Sequence, residues 1–384
     1  MRIGIDARLY TQTGVGRYIQ NLISALGVLD KENEYYVYLG KKEFTEFTEP
    51  NARWHKRLLD IPWHTVSEQL KVPFFLLKDN LDIAHFPYFN IPVAYPKKYL
   101  LTVHDLIVDH FHTGRASTLP LPFYTIKRFG YHIVTQLGAK RASAITAISH
   151  TTKQELIDHY QVSPETVTVT YDALDIHFLE LLKKSRRLRD PESDSGKKPQ
   201  KKFSSPYILY VGNAYPHKNL ERLLAALPLI LKKKKMKLVL AGNDNYFYPK
   251  LKTYAEKVGI ASNVIFFGAA NDDELIDLYT FSSCVVFPSL MEGFGLPNLE
   301  ALACNVLPVV SDIPVFREIW GNNLPTFNPY DEKNIAAEIL RVLGLPQNEY
   351  KRKVQTAQKK LASFSWKRTA ADTLNIYTKI GRIR

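Results

Sequence analysis

The residues from Phe287 to Glu300, FPSLMEGFGLPNLE, combine two carboxylates, two glycines and a proline in an order that suits a polyhydroxylated, phosphorylated ligand. An apolar strand is expected to end at Pro288. Pro297 falls where the first turn of a helix begins, the one helical position where proline forfeits no backbone bond. The loop between them carries Glu292, Gly293, Phe294 and Gly295. Glycines let backbone N–H groups approach a ligand closely, and the helix N-terminus that follows favours a phosphate. Glu292 lies on the loop and Glu300 eight residues on, inside the helix. The two therefore suit different parts of an extended ligand such as a nucleotide sugar, whose vicinal hydroxyls donate to carboxylates in pairs. A glycine-capped helix with two solvated glutamates has the same spacing, and the short motif alone does not choose.

Other spacings narrow the chemistry. Gly14-Val15-Gly16 resembles a dinucleotide turn, but the third glycine of G-x-G-x-x-G would fall at position 19, which is Ile19. The loop after the first strand is also too long, which disfavours a nicotinamide dehydrogenase. His104 ends an apolar stretch, where sites of α/β proteins form, although a lone histidine is more often structural. Asp105 suits a turn cap. Cys284 and Cys304 are the only cysteines, and there is neither an H-E-x-x-H motif nor a Cys/His cluster. A disulfide scaffold is excluded, no metal is expected, and a reducing compartment fits.

These groups need elements to hold them. Strands are expected at Arg2 to Ala7, Tyr35 to Leu39, Asp82 to Phe86, Lys98 to His104, Ala142 to Ala147 and Thr166 to Thr170. They alternate with helices at Val15 to Leu29, Thr65 to Leu77, Phe123 to Lys140 and Thr151 to Tyr160. The alternation restarts at Tyr207 and runs to two final helical stretches split near Phe364. Such alternation implies two doubly wound parallel sheets in tandem. Between them, Lys183 to Lys202 carries nine basic and three acidic residues without apolar periodicity, and reads as a linker or insertion. That segment and the lysines of 232–237 account for most of the net charge of +13, which argues against a globally basic nucleic-acid binder. No signal peptide or spanning stretch is apparent.

The collinear motifs resemble the retaining GT-B glycosyltransferases of family 4. Glu292 to Glu300 is similar to their E-x7-E signature, and EGFGLPNLEALACNVLPVVSDIPVFREI matches most closely. IGIDARLYTQTGVGRYIQNLISAL, HDLIVDH, ITAISHTTKQEL, VGNAYPHKNLERLLAAL and FSWKRTAADTLNIY resemble the family's other conserved stretches in order. The resemblance implies an α/β fold, GT-B, of two Rossmann-like doubly wound domains facing across a cleft. Residues 1–172 would form the acceptor-side domain, with a C-terminal helix at about 366–384 packing back on it. Residues 173–365 would form the donor domain.

Residue by residue, the resemblance implies that Glu292 binds donor-sugar hydroxyls and Glu300 the ribose. Gly293, Phe294, Gly295 and Leu296 would line the donor, Lys218 would neutralise the diphosphate, Gly14 and Gly16 would face the donor phosphate, and His104 would lie near the transferred sugar. Asn213 and His217 stand where many family members carry arginine. SDIPVFREI points to the mannosyltransferase-like branch, which implies metal-independent transfer of a hexose from GDP-mannose or a UDP-sugar to a glycan, lipid-linked or polysaccharide acceptor. The location implied is cytoplasmic, at the inner membrane face; the charge of the basic segment itself suits solubility and weak contact with anionic lipid equally. A non-catalytic nucleotide-sugar binder and a nucleic-acid binder are the alternatives. Turnover would exclude the first, and the lack of aromatic residues among the basic ones disfavours the second.

Overall fold

The computed structural model describes every residue except 90, 112–120, 188–199, 244–245 and 383–384. The chain divides into two compact units. The first comprises Met1–His110, Ser117–Asp172 and Ser365–Arg384, and the second Phe111–Ala116 and Ala173–Phe364.

The first unit is built on β1 (Arg2–Asp6), β2 (Glu34–Leu39), β3 (Trp54–Leu58), β4 (Ile83–Phe86), β5 (Tyr99–Val103), β6 (Ala144–Ala147) and β7 (Val167–Val169). They form one parallel sheet in the order β3-β2-β1-β4-β5-β6-β7. Both faces are covered, so the strands read as near-continuous apolar runs. Its helices are α1 (Thr13–Leu29), α2 (Lys41–Glu46), α3 (Val66–Lys78), α4 (Ile107–His110), α5 (Leu121–Arg141) and α6 (His150–Tyr160). Tyr18, Ile19, Leu22, Ile23 and Leu26 give α1 one buried stripe at helical spacing. Thr65 and Ser149 accept from Glu68 N–H and Thr152 N–H and so start α3 and α6. Val72 and Leu76 of α3, Ala139 of α5, and Leu156 and Tyr160 of α6 share a core with Tyr36, Phe86, Leu101 and Ile145. Because strand side chains alternate, His85, Thr102 and Thr146 point to the opposite face.

The second unit begins with α7 (Ile176–Arg187). Its strands are β8 (Tyr207–Val211), β9 (Lys237–Ala241), β10 (Val264–Gly268), β11 (Cys284–Phe287), β12 (Pro308–Ser311) and β13 (Thr326–Phe327), in the parallel order β10-β9-β8-β11-β12-β13. Around them lie α8 (Leu220–Leu231), α9 (Tyr248–Lys257), α10 (Asp272–Phe281), α11 (Leu296–Ala303), α12 (Pro314–Trp320), α13 (Glu332–Leu343) and α14 (Gln347–Leu361). Each unit is a Rossmann-like α/β domain, as expected.

The chain then returns to the first unit as α15 (Trp366–Arg382), which packs on α1. A buried polar chain fixes it: Tyr377 Oη bonds His85 Nδ1 at 2.6 Å, His85 Nε2 bonds Thr102 Oγ1 at 2.7 Å, and Thr102 bonds Thr146 at 2.7 Å. Burial lowers the His85 pKa to about 3, so the ring is neutral and each nitrogen has one assigned partner.

The expected linker is in part regular structure. Lys183 to Arg187 continue α7, whose Phe178 and Leu182 are buried. Residues 188–199 of that segment, and 383–384 of the expected C-terminal helix, lie outside the described residues. Strands β3 and β13 and helix α2 had no counterpart in the expected pattern.

Candidate functional site

In a doubly wound sheet, ligands settle beyond the carboxyl ends of the strands where the strand order reverses. In the second unit that point lies between β8 and β11, which pair directly. The loops leaving these two strands carry the residues singled out from the sequence. After β8 the chain runs through Asn213 to a single 3-10 turn, Pro216–Lys218, closed by Asn219 in the left-handed conformation at φ 59°. After β11 it runs through Pro288 and Ser289 to Glu292.

Three contacts join the loops. Asn219 Nδ2 donates to the Pro288 carbonyl at 3.0 Å, Leu290 N–H donates to the His217 carbonyl at 2.7 Å, and Lys218 Nζ contacts both Glu292 oxygens at 2.7 and 2.8 Å. Ser289 Oγ donates to Glu292 Oε1 at 2.6 Å. Burial alone would raise the Glu292 pKa; the Lys218 charge, joined by His217 only where that ring is protonated, and these bonds outweigh it and hold the carboxyl below its ordinary value. His217 is buried, its ring stacked on Tyr215, and burial aided by Lys218 lowers its pKa to about 4. At neutral pH the Lys218–Glu292 ion pair therefore stands beside an uncharged imidazole.

Gly295 is the N-cap of α11 at φ 94°, and a Cβ there would come within 2.7 Å of both Phe316 Cε1 and Asn298 Nδ2. Only glycine fits. Gly293, Phe294 and Leu296 complete the turn into the helix, with the Phe294 ring buried. Glu300, further along α11, is 5% exposed and accepts from Tyr279 Oη at 2.8 Å. Asn213 Oδ1 accepts from Tyr215 N–H at 3.4 Å, and its carbonyl accepts from Tyr210 Oη at 2.6 Å.

Sequence reasoning missed Asn298. It is fully buried in the first turn of α11, and neither amide atom has a hydrogen-bond partner among the described residues. Its position one residue after Pro297 was the available signal, but burial of an unsatisfied amide is visible only in three dimensions.

The first unit reverses its strand order between β1 and β4. Beyond β1 a buried triad holds the loop: Arg8 Nη2 contacts Asp6 Oδ2 and Glu68 Oε1, both at 2.6 Å, and Arg8 Nη1 donates to the Ile61 carbonyl at 2.8 Å. This triad was also missed. The turn it supports leads to Gly14 and Gly16, which differ in kind. A Cβ at Gly16 would meet the Tyr10 carbonyl oxygen at 2.6 Å, whereas at Gly14 it would meet nothing within 4 Å.

His104 follows β5, two strands from β1. Its Nε2 lies 2.8 Å from the Pro87 carbonyl, which can only accept, so Nε2 carries the hydrogen and Nδ1 the lone pair. Burial lowers its pKa to about 4. Asp105 accepts from Ile107 N–H at 3.0 Å and caps the next turn. Among the described residues no three His, Cys, Asp or Glu side chains gather into a metal-holding group.

Residues 12–178 match the family described as Glycosyltransferase Family 4, and residues 192–360 the one described as Glycosyl transferases group 1. O-antigen chain mannosyltransferase RfbU of Salmonella typhimurium is 26% identical over 319 residues, covering 80% of this chain and 79% of that protein. O-antigen chain mannosyltransferase B of Escherichia coli is 26% identical over 392 residues, covering 96% of each. Among solved structures, Anabaena HepE in complex with UDP and glucose matches 99% of this chain and 100% of its own with a TM-score of 0.71 at 15% identity, a likeness of fold. With both units matched in order, the chain belongs to the family 4, group 1 glycosyltransferases and is a glycosyltransferase of GT-B fold.

Proposed function

We propose that the protein transfers a hexose, mannose in the first instance, from a nucleotide-diphosphate donor to a glycan or lipid-linked acceptor with retention at the anomeric carbon. The names of the two mannosyltransferase relatives support the sugar, and the UDP and glucose in the HepE complex support a nucleotide-sugar donor. GDP-mannose is the first candidate and a UDP-sugar the second. The observation that carries the reading is the Lys218–Glu292 pair at the reversal of the second sheet.

In the free protein these two charges satisfy each other. A nucleotide sugar offers each a replacement, the diphosphate for Lys218 and sugar hydroxyls for Glu292. Lys218 then stabilises the charge that develops as the C1–O bond to the diphosphate breaks. Backbone N–H groups of Gly293, Phe294, Gly295 and Leu296 meet the donor, and Glu300 takes the ribose hydroxyls by exchanging its bond from Tyr279. Asn298 has both amide atoms available to brace this loop through a ligand or a water. Asn213 and His217 contribute neutral polar contacts where arginine would contribute charge. On the acceptor side, His104 Nδ1 accepts from a sugar hydroxyl, and the open space above Gly14 lets a phosphate approach, while Gly16 shapes the turn. The acceptor hydroxyl attacks C1 on the face the diphosphate leaves. Its oxygen forms the new C–O bond, and its proton passes to the departing phosphate oxygen.

Thermal shift with GDP, UDP, ADP and dTDP, followed by nucleotide release from the matching sugar donors, tests the assignment. GDP is expected to stabilise most, and a panel without any stabilisation overturns the donor reading. Glu292→Ala and Lys218→Ala are expected to abolish transfer while retaining cooperative unfolding. Full activity in either variant removes that residue from the site.

A further inference from the structure

α3 presents two different faces. Glu68, Val72, Pro73 and Leu76 are buried, whereas Val66, Leu70 and Phe74, at successive spacings of four, are 75%, 64% and 68% exposed. Phe75 and, just ahead of the helix, Trp63 add to this outer face. α5 repeats the pattern with Phe129, Ile133 and Leu137, again four residues apart and exposed. The stripes lie on one side of the first unit, since α3 and α5 contribute to the same core cluster. His64, at the head of α3, stacks on Tyr131 of α5 with ring centroids 5.4 Å apart, and Gln69 and Arg141 both bond to the turn at Ile91 and Val93.

The exposed charges that α3 and α5 themselves present have one sign. α3 exposes Lys71 and Lys78, and its only carboxylate, Glu68, is turned inward onto Arg8. α5 exposes Lys140 and Arg141 and has no acid in its sequence. An apolar, aromatic stripe bordered by basic residues fits a helix lying in a bilayer interface, with its apolar side at the acyl boundary. A second copy docked through the same patch would oppose like charges, whereas an anionic leaflet neutralises them. No helix among the described residues is long and apolar enough to cross a membrane, so contact here means lying on the surface.

We propose that the α3–α5 face of the first unit seats on an anionic lipid bilayer. Trp63, Leu70, Phe74, Phe129 and Ile133 meet the acyl boundary, and Lys71, Lys78, Lys140 and Arg141 lie among the headgroups. The membrane contact expected of the Lys183 to Lys202 segment moves to this face. Glu68 gives the contact a route inward, because it grips Arg8, which supports the loop leading to Gly14. The proposal goes beyond glycosyl transfer and is testable without donor or acceptor.

Cosedimentation of the full chain with phosphatidylcholine vesicles, with and without about one-third phosphatidylglycerol, tests it. The protein is expected to pellet with the anionic vesicles and weakly with the neutral ones. Leu70→Glu/Phe74→Glu alters only outward side chains. It should partition at least about tenfold less while keeping its unfolding temperature and its nucleotide-induced shift. Lys71→Glu/Lys78→Glu reads the same contact through charge, should that apolar variant lose stability. Replacing Lys197, Lys198, Lys201 and Lys202 by serine should leave partitioning unchanged. Wild-type protein left in the supernatant, or unchanged pelleting of both α3 variants, overturns the proposal. So does a wild-type dimer that Leu70→Glu/Phe74→Glu converts to monomer with vesicle binding intact, because a second copy would then cover the face.

Discussion

Asp172 is 2% exposed, and its Oδ1 has no donor among the described residues. Burial raises its pKa to about 8. The folded protein therefore keeps a proton that the unfolded chain releases above its ordinary pKa of about 3.9. The associated stability is complete below ~pH 4 and is lost as pH rises toward 8. The buried histidines act in the opposite sense. His85, at about 3, and His104 and His217, at about 4, stay neutral when folded. The unfolded chain takes up their protons below ~pH 6.5, so their contribution is present above that value and lost as pH falls toward 4. Asp172→Asn removes the alkaline arm alone, and melting curves should show a larger gain in Tm at pH 8 than at pH 5. Equal gains at both pH values would exclude a buried proton at this position. Glu292, Lys218 and the glycine turn were legible as a candidate site because motif and loop position coincide. Asn298, Asp172 and the Arg8 triad were not, since each is defined by burial or by a partner up to sixty residues away in sequence.

The strands of both sheets were legible as elements because parallel strands covered on both faces are short, apolar and β-branched, and the helices between them carry a helical stripe. The exceptions have physical causes. β3 is the outermost strand of its sheet and spells WHKRL; edge strands carry charge that discourages further pairing, and this erases the strand signal. β13 has two residues, too few for any period. α7 places its apolar residues in its first half and LKKSRR in its second, so its end reads in sequence as the start of a linker. Its role is nonetheless structural. Phe178 packs edge-on against Tyr279, with centroids 6.3 Å apart, and Tyr279 bonds Glu300. Phe178→Ala should cost about 3–5 kcal/mol in denaturant unfolding and should weaken nucleotide binding along with it. A loss of under 1 kcal/mol would mean that α7 is not part of the second core. α3 misleads in the other direction: Val66, Leu70 and Phe74 have the spacing of a core stripe, and only their exposure shows that the helix carries apolar residues on both sides.

At the scale of the molecule, both sheets are parallel throughout, so strand follows strand through crossovers, and the doubly wound class was readable from the alternation of elements alone. The anchoring of α15 is a feature of three dimensions, because nothing local in FSWKRTAADTLNIY states that Tyr377 meets His85. Tyr377→Phe leaves His85 Nδ1 buried without its partner, at a cost of about 1–3 kcal/mol. Hydrogen exchange should quicken across α1 and α15 while the second unit keeps its protection, and uniform quickening would show that the two units unfold as one. The same anchoring bears on synthesis. Residues 173–364, nearly all of the second unit, lie between β7 and α15 in sequence. On the ribosome the first unit must wait through their translation, roughly ten to forty seconds at ordinary synthesis rates, with the face of α1 that α15 will cover still wet. The second unit can close its core in that interval. α15, made after the second unit, thus completes the unit begun before it, and until then the nascent chain carries one unit able to close and the other held open.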